Sequence, residues 1–179
     1  GLPPDATQEM VQDYLNPQTD QVTLTDNQTK LFGAHLQRFN VKNKDTAINN
    51  FMNVFVPAVL EIESSNNFTA KNKNSTASGG FQFLEGSVIP ALNRLEKYLG
   101  PRDWGNELRQ HKDASLLTPA QQTELFIADM LEKKGSDALM QKVFDGDIEG
   151  MIQAYYKLHH TKPDQATIKR TEKIFSKYR

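Results

Sequence analysis

Glu63 is the side chain whose setting in this sequence points most directly to chemistry. Val59, Leu60 and Ile62 continue an apolar segment that stops at Ser64-Ser65-Asn66-Asn67, which puts Glu63 in the last turn of a helix. The C-terminal end of a helix carries partial negative charge, which disfavours a carboxylate and favours its protonated form. Crowding by Phe81 and Phe83 would push in the same direction through desolvation. A carboxylic acid that keeps its proton near neutral pH can hand it to a leaving oxygen, which is what breaking a glycosidic bond requires. The plainer reading is a solvated surface glutamate. Glu61 is the rival acid. Side chains two positions apart on a helix point roughly 200° apart, so one cleft receives only one of the two. Leu60 and Ile62 belong to the buried side in either assignment, so periodicity leaves the choice open.

Downstream, residues 66–83 form polar, Asn- and Ser-rich text that ends in Gly79-Gly80-Phe81-Gln82-Phe83. Adjacent glycines allow a positive φ or a close approach to a ligand, and the alternation of Phe with Gln presents apolar and polar groups on opposite sides. Sugar faces pack on such surfaces; a turn followed by two core phenylalanines is the bland alternative. Other candidates carry less. His159-His160 diverge by roughly 100° on a helix and cannot grip one ion together, so no metal is expected. Trp104 reads equally as a sugar platform or as core. Asn27, Asn67 and Asn74 begin Asn-x-Thr triplets, which matter only in a eukaryotic secretory route. Asp145-Gly146-Asp147 reads as a turn, since the rest of a calcium loop is missing.

The elements that must position these residues are mainly α. Helices are expected over residues 26–39, over 45–64 with a break or kink at Pro57, and over 84–98 up to the Gly100-Pro101 stop. Thr118-Pro119-Ala120-Gln121 is a capping-box start with proline at the first helical position, and its helix should run to about residue 134. Further helices are expected over 137–144, 148–159 and 164–178, with turns at Asp145-Gly146-Asp147 and Thr161-Lys162-Pro163. Residues 66–83 resist a helical reading and suit a small irregular β-hairpin flanking a cleft. Residues 1–22, with Pro3, Pro4 and Pro17 around a polar segment at 7–15, read as an arm or linker ahead of one domain over 23–179.

Composition narrows the function classes. A chain of 179 residues can bury a core without staples. Lys and Arg total 21 against 22 Asp and Glu, for a net charge of -1, which argues against nucleic acid and anionic lipid as partners. The absence of cysteine excludes disulfides, a thiol nucleophile and thiolate metal sites. The longest strongly apolar stretch, residues 51–62, is interrupted by Asn53, Pro57 and Glu61 and falls far short of the ~20 residues of a membrane-spanning helix. A start at Gly1-Leu2-Pro3-Pro4, with no Met and no basic-then-apolar signal, suggests an excised or processed form.

Glu63-Ser64, a polar loop with Phe68 and Ala70, and then Ala77-Ser78-Gly79-Gly80-Phe81-Gln82 together resemble the signature of soluble lytic transglycosylases and goose-type lysozymes. That signature is a Glu-Ser pair, a variable loop and Gly-Ala-x-Gly-Leu-Met-Gln. Glu63 matches the catalytic acid, Ser64 its neighbour, Gly79 the glycine of the turn and Gln82 the closing glutamine, while Gly80 stands for leucine and Phe81 for methionine. Thr118-Pro119-Ala120-Gln121-Gln122 and the apolar run 125–131 are similar to the family's second helix. Ala154-Tyr155-Tyr156 matches its Ala-Tyr-Asn, with Tyr155 as the tyrosine that reaches the acid, Tyr156 in place of Asn, and Lys157-Leu158 in place of the usual Ala-Gly.

The resemblance covers residues 45–179 and implies a lysozyme-like helical domain acting on peptidoglycan glycan strands, without a cofactor, in the periplasm or at the cell wall, either in bacterial wall remodelling or in a bacteriophage particle or lysis system. Glu63 would be the catalytic residue; Ser64, Gly79, Gly80, Phe81, Gln82, Tyr155 and Tyr156 would contact substrate. Ala77 stands where animal-type lysozymes carry an aspartate, so the resemblance implies cleavage by one glutamate with a 1,6-anhydro product. Hydrolysis aided by Glu85, Asp103 or Asp113 is the alternative. A catalytically inactive glycan-binding or structural domain of a larger assembly is the reading from another class.

Overall fold

The computed structural model describes residues 4–5, 22–159 and 164–178. The expected arm over 1–22, apart from Pro4, Asp5 and Val22, lies outside the described residues, as do His160 and the expected turn at Thr161-Lys162-Pro163. The rest is mainly helical. Helix α1, Asp26–His35, starts at a capping box in which Thr25 and Gln28 each accept the other's backbone N–H, and it tightens into a 3₁₀ turn at Leu36–Arg38. Helix α2, Lys44–Asn49, capped by Asn43, runs into a π-helical segment, Asn50–Phe55, and then into α3, Val56–Ser64.

Helical structure is therefore continuous through residues 44–64, passing from α to π and back to α. Pro57 has no N–H to donate, and its ring would collide with the carbonyl four residues earlier. The widened turns just before it absorb that conflict, and Val56 N–H reaches back to Phe51 O.

Helix α4, Glu85–Leu99, ends at Gly100; α5, Gly105–His111, follows, with a 3₁₀ turn at Ala114–Leu116. Helix α6, Pro119–Glu132, has the capping box expected from Thr118 and Gln121, and is followed by the 3₁₀ turn Lys134–Ser136. Helix α7, Asp137–Asp145, ends at Gly146; α8, Ile148–His159, and α9, Gln165–Lys177, complete the described chain. Helix α5 was not among the expected elements: it is short, opens on glycine, and buries one large side chain, Leu108, which leaves no apolar period to read.

Where an irregular hairpin was expected, residues 66–83 contain isolated bridges and no continuous strand. The bridges are antiparallel, Lys71 with Ser78 and Ser78 with Phe83, so that Ser78 is paired on both sides. Left-handed backbone at Gly79 (φ +80°) and Gln82 (φ +55°) folds the chain back too tightly for a ladder to grow.

Helix α6 is the axis of the fold. Every residue from Leu125 to Leu131 is buried, and the helix packs on α4, α1 and α7. Phe126 is sandwiched between Phe81 (ring centroids 4.1 Å apart, 9° between planes) and Phe55 (5.8 Å, 25°), which joins the loop, α6 and the π segment through one aromatic stack. The acids on α6 are partnered across its contacts. Arg94 pairs with Asp129 at 2.7 Å, and Glu132 accepts hydrogen bonds from Lys97 (2.7 Å) and Tyr98 (2.6 Å) and lies 2.9 Å from Nε2 of the buried His35. Helix α9 lies against α8 and α3, and α7 against α8. Among the described residues no helix is long and apolar enough to cross a membrane.

Two outcomes test this architecture. Phe126→Ala should lower stability by about 3–5 kcal/mol in urea unfolding, because it empties the centre of the stack. Burial alone would raise the Glu132 carboxyl, but hydrogen bonds from Lys97, Tyr98 and His35 outweigh it and bring it down to about 2. A depressed carboxyl stabilises the fold above its unfolded value and loses that contribution as pH falls through the folded one. Between about pH 5 and about pH 2 this amounts to a loss on the order of 2–3 kcal/mol. Glu132→Gln should therefore be less stable than the parent at neutral pH and should lack that part of the acid limb in unfolding measured against pH.

Candidate active site

The last turn of α3 does place Glu63 beside a short irregular segment, and the way the helix ends explains how. Ser65 (φ 54°) and Asn66 (φ 66°) are both left-handed, and their N–H groups return to the carbonyls of Glu61 and Leu60 at 3.1 Å each. Ser64 seals the same turn: its Oγ donates to Leu60 O (3.1 Å) and accepts from Asn67 N–H (3.1 Å). Ser64 is thus a residue of the helix terminus, holding its neighbour Glu63 in place.

The two glutamates left equivalent by helical periodicity take different surroundings. Glu61 faces α9 and its end, accepting from Lys177 Nζ (2.6 Å) and Tyr178 OH (2.8 Å), and these hydrogen bonds hold its carboxyl below the ordinary range. Glu63 is half-buried and faces α8, where the Tyr155 hydroxyl donates to its Oε1 from 92 positions away in the chain. Tyr155 is itself 1 % exposed, wedged between His159 (ring centroids 4.4 Å) and Phe175 (6.2 Å). Burial, and then the Glu63 charge, push the Tyr155 hydroxyl well above its ordinary value, so it stays a proton donor to Glu63 throughout the accessible pH range.

Tyr156 lies on a different face of α8. It is buried, and its hydroxyl donates to Thr167 O at 2.7 Å, tying α8 to α9. Burial raises its hydroxyl as well.

The loop over residues 66–83 is held from inside. Gly79 N–H donates to Ala70 O (2.8 Å), and Gln82 folds back so that its Nε2 donates to Gly79 O (2.8 Å). Gly79 and Gly80 are buried, and Gly80 is pressed against α3: a Cβ there would lie 2.8 Å from Leu60 Cδ2 and 2.9 Å from Phe68 Cδ1. Phe81 and Phe83 point into the core, Phe81 onto Phe126, and so serve packing where the sequence suggested a sugar-facing surface. The sequence-derived set therefore separates. Glu63 and Tyr155 meet directly; Ser64, Gly79, Gly80 and Gln82 shape the backbone beside them; Phe81 and Tyr156 support the fold.

Ala77 adjoins a groove of about 270 Å³ that is also lined by Lys71, Thr76, Glu85, His111 and Asp113. Asp113 is occupied there. Lys71 lies 2.8 Å away, and Ser115 donates to Asp113 through both N–H and Oγ; burial would raise its carboxyl, but these contacts win and lower it. Glu85 is exposed on the same groove, whereas Asp103 lies exposed just ahead of α5 and Trp104 packs half-buried against the core. Among the described residues no group of three or more His, Asp or Glu side chains is placed to hold a metal ion.

Sequence reasoning missed two buried polar residues that build the loop, Ser78 and Gln122. Ser78 Oγ accepts the Ala114 N–H at 2.9 Å. Gln122 lies on the α6 face that carries Leu125, Phe126 and Asp129, and a glutamine at a core position of a helical period is a signal the sequence did contain.

Comparison of the chain with family models, with curated proteins and with solved structures finds no match in any of the three. The contact at the centre of the site is open to a double-mutant cycle. Tyr155→Phe should cost about 1–3 kcal/mol in urea unfolding, and combining it with Glu63→Gln should give a sum that departs from additivity by about 0.5 kcal/mol or more. Strict additivity would mean that the two groups do not interact in solution.

Proposed function

We propose that this chain is a peptidoglycan-cleaving enzyme with a lysozyme-like fold, and that Glu63 acts on the β-1,4 bond between N-acetylmuramic acid and N-acetylglucosamine. The observation that carries the reading is the hydrogen bond from the buried Tyr155 hydroxyl to Glu63 Oε1 at the end of α3. It holds the carboxyl in one orientation at the end of α3, as a general acid that must meet its substrate at a fixed angle requires. The resemblance of the Glu63-Ser64, Gly79–Gln82 and Ala154–Tyr156 blocks to lytic transglycosylases and goose-type lysozymes supplies the substrate class.

In the favoured route Glu63 protonates the glycosidic oxygen as the bond from muramic acid C1 to that oxygen breaks. The resulting carboxylate then takes the proton of the muramic acid C6 hydroxyl, whose oxygen closes on C1. The product carries a 1,6-anhydro ring, no water is consumed, and Glu63 ends protonated as it began. Alanine at position 77 favours this route over a covalent one, which needs a second carboxylate. Hydrolysis would draw on Glu85, the exposed acid on the groove beside Ala77, since Asp113 is engaged by Lys71 and Ser115.

Digestion of purified sacculi tests the reading. The parent should release muropeptides, and Glu63→Gln should reduce release by about a hundredfold to ten-thousandfold with its helical circular dichroism intact. Products one water lighter than hydrolytic muropeptides identify the anhydro route, and the heavier products identify hydrolysis. Binding to sacculi with no release by the parent overturns the enzyme reading in favour of a glycan-binding module.

A further inference from the structure

Gln122 is fully buried in the first turns of α6, and all of its amide's contacts reach outside that helix. Its Oε1 accepts the Gly80 N–H at 2.8 Å, and its Nε2 donates to Phe68 O at 2.9 Å and to Leu117 O at 3.0 Å. One side chain thus joins the beginning of the loop, its double-glycine turn and the segment leading into α6. Gln122 lies directly against the turn: a Cβ added at Gly79 would lie 2.5 Å from its Oε1. Gly80 in turn rests on Leu60, one helical turn before Glu63 and on the same face of α3. A planar amide with one acceptor and two donors suits this setting, in which an N–H and two carbonyls converge on it.

We propose that Gln122 is a positioning residue of the candidate active site, fixing residues 68 and 80 against α6 and α3 and so setting the wall that substrate meets beside Glu63. This rests on the reading of Glu63 as the catalytic acid. Gln122 itself need not touch glycan: it acts through the Gly80 and Phe68 backbone. The ionised carboxylate of a glutamate would place negative charge against the Phe68 and Leu117 carbonyls, whereas the protonated acid keeps an acceptor for Gly80 and one donor. The clamp should therefore become pH-dependent when Gln122 is replaced by glutamate.

Three variants of the full chain test this: Gln122→Met, which keeps length but removes the polar atoms; Gln122→Glu; and, as a control for stability alone, Gln121→Met, which removes the capping-box return to Thr118 N–H. Amide hydrogen exchange at Gly80, read by NMR, and muropeptide release from sacculi are measured below each variant's unfolding temperature. In Gln122→Met, Gly80 should exchange about tenfold faster or more. Its release rate should fall by about tenfold to a hundredfold. Gln121→Met should lower the unfolding temperature and leave both readouts at the parental level. In Gln122→Glu, Gly80 protection and release should both recover toward the parent as pH is lowered.

Unchanged Gly80 exchange in Gln122→Met, equal losses of activity in Gln121→Met, or a pH profile of Gln122→Glu parallel to the parent's would each overturn the proposal. Faster exchange with undiminished release would overturn it while leaving the role of Glu63 intact. If the parent releases no muropeptides, it is the reading of Glu63 that fails, and the exchange data alone then decide whether Gln122 sets the loop.

Discussion

Helix α6 is enclosed by protein along an unbroken run from Leu125 to Leu131, so the polar side chains on it and at its ends must find partners inside the molecule. That constraint organises much of the rest. Asp129 reaches Arg94 on α4, and Glu132 gathers Lys97 and Tyr98 from α4 and His35 from α1. Gln122, at the other end, takes the loop over residues 66–83. The burial of Asp129 raises its carboxyl against the pull of Arg94, which is the cost of placing an acid on a core helix. What the fold gains is orientation: each of these contacts sets where a neighbouring element sits on the axis.

The candidate site is assembled at the margin of this framework. Helix α3 is attached to α9 through Glu61, Lys177 and Tyr178, and to α8 through Glu63 and Tyr155. Tyr156 then fastens α8 to α9 through the Thr167 carbonyl. Three helices are thus bound pairwise by hydroxyl and carboxyl groups in addition to apolar packing, and the acid at the centre is held by a tyrosine that cannot readily ionise. The loop adds a further boundary, built on backbone hydrogen bonds and two glycines, with its aromatic side chains spent on the core.

Much of the helical framework was legible because its signals are local. Thr118 with Gln121 marks the start of α6, Gly100 and Gly146 mark ends, and the polar run after Ile62 marks the end of α3. What was not legible depends on groups distant in the chain. Helical periodicity does not distinguish Glu61 from Glu63, and only the resemblance of Glu63-Ser64 separated them in the sequence; in the structure, partners more than ninety positions away do. Phe81 was ambiguous between a ligand surface and the core until Phe126 was placed beside it. The expected hairpin is reduced to isolated bridges: alternation of Phe81, Gln82 and Phe83 resembles a strand, while the positive φ at Gln82 is invisible in its identity. Pro57 announced a disturbance, yet the chain deforms upstream of it, since the collision a proline causes falls on the preceding turn.

That upstream deformation bears on how this helix can evolve. A π-helical segment is what an α-helix becomes when it carries a surplus residue, and each residue gained or lost turns everything beyond it by about 100° around the axis. The stretch Asn50–Phe55 therefore works as a phase shifter between the part of the helix anchored by α2 and the part that ends in Glu63. A lineage that lost one residue there would regain a regular helix and keep its caps and its composition. It would also swing Glu63 away from Tyr155, so the least regular turns of this helix are those on which the aim of its acid depends.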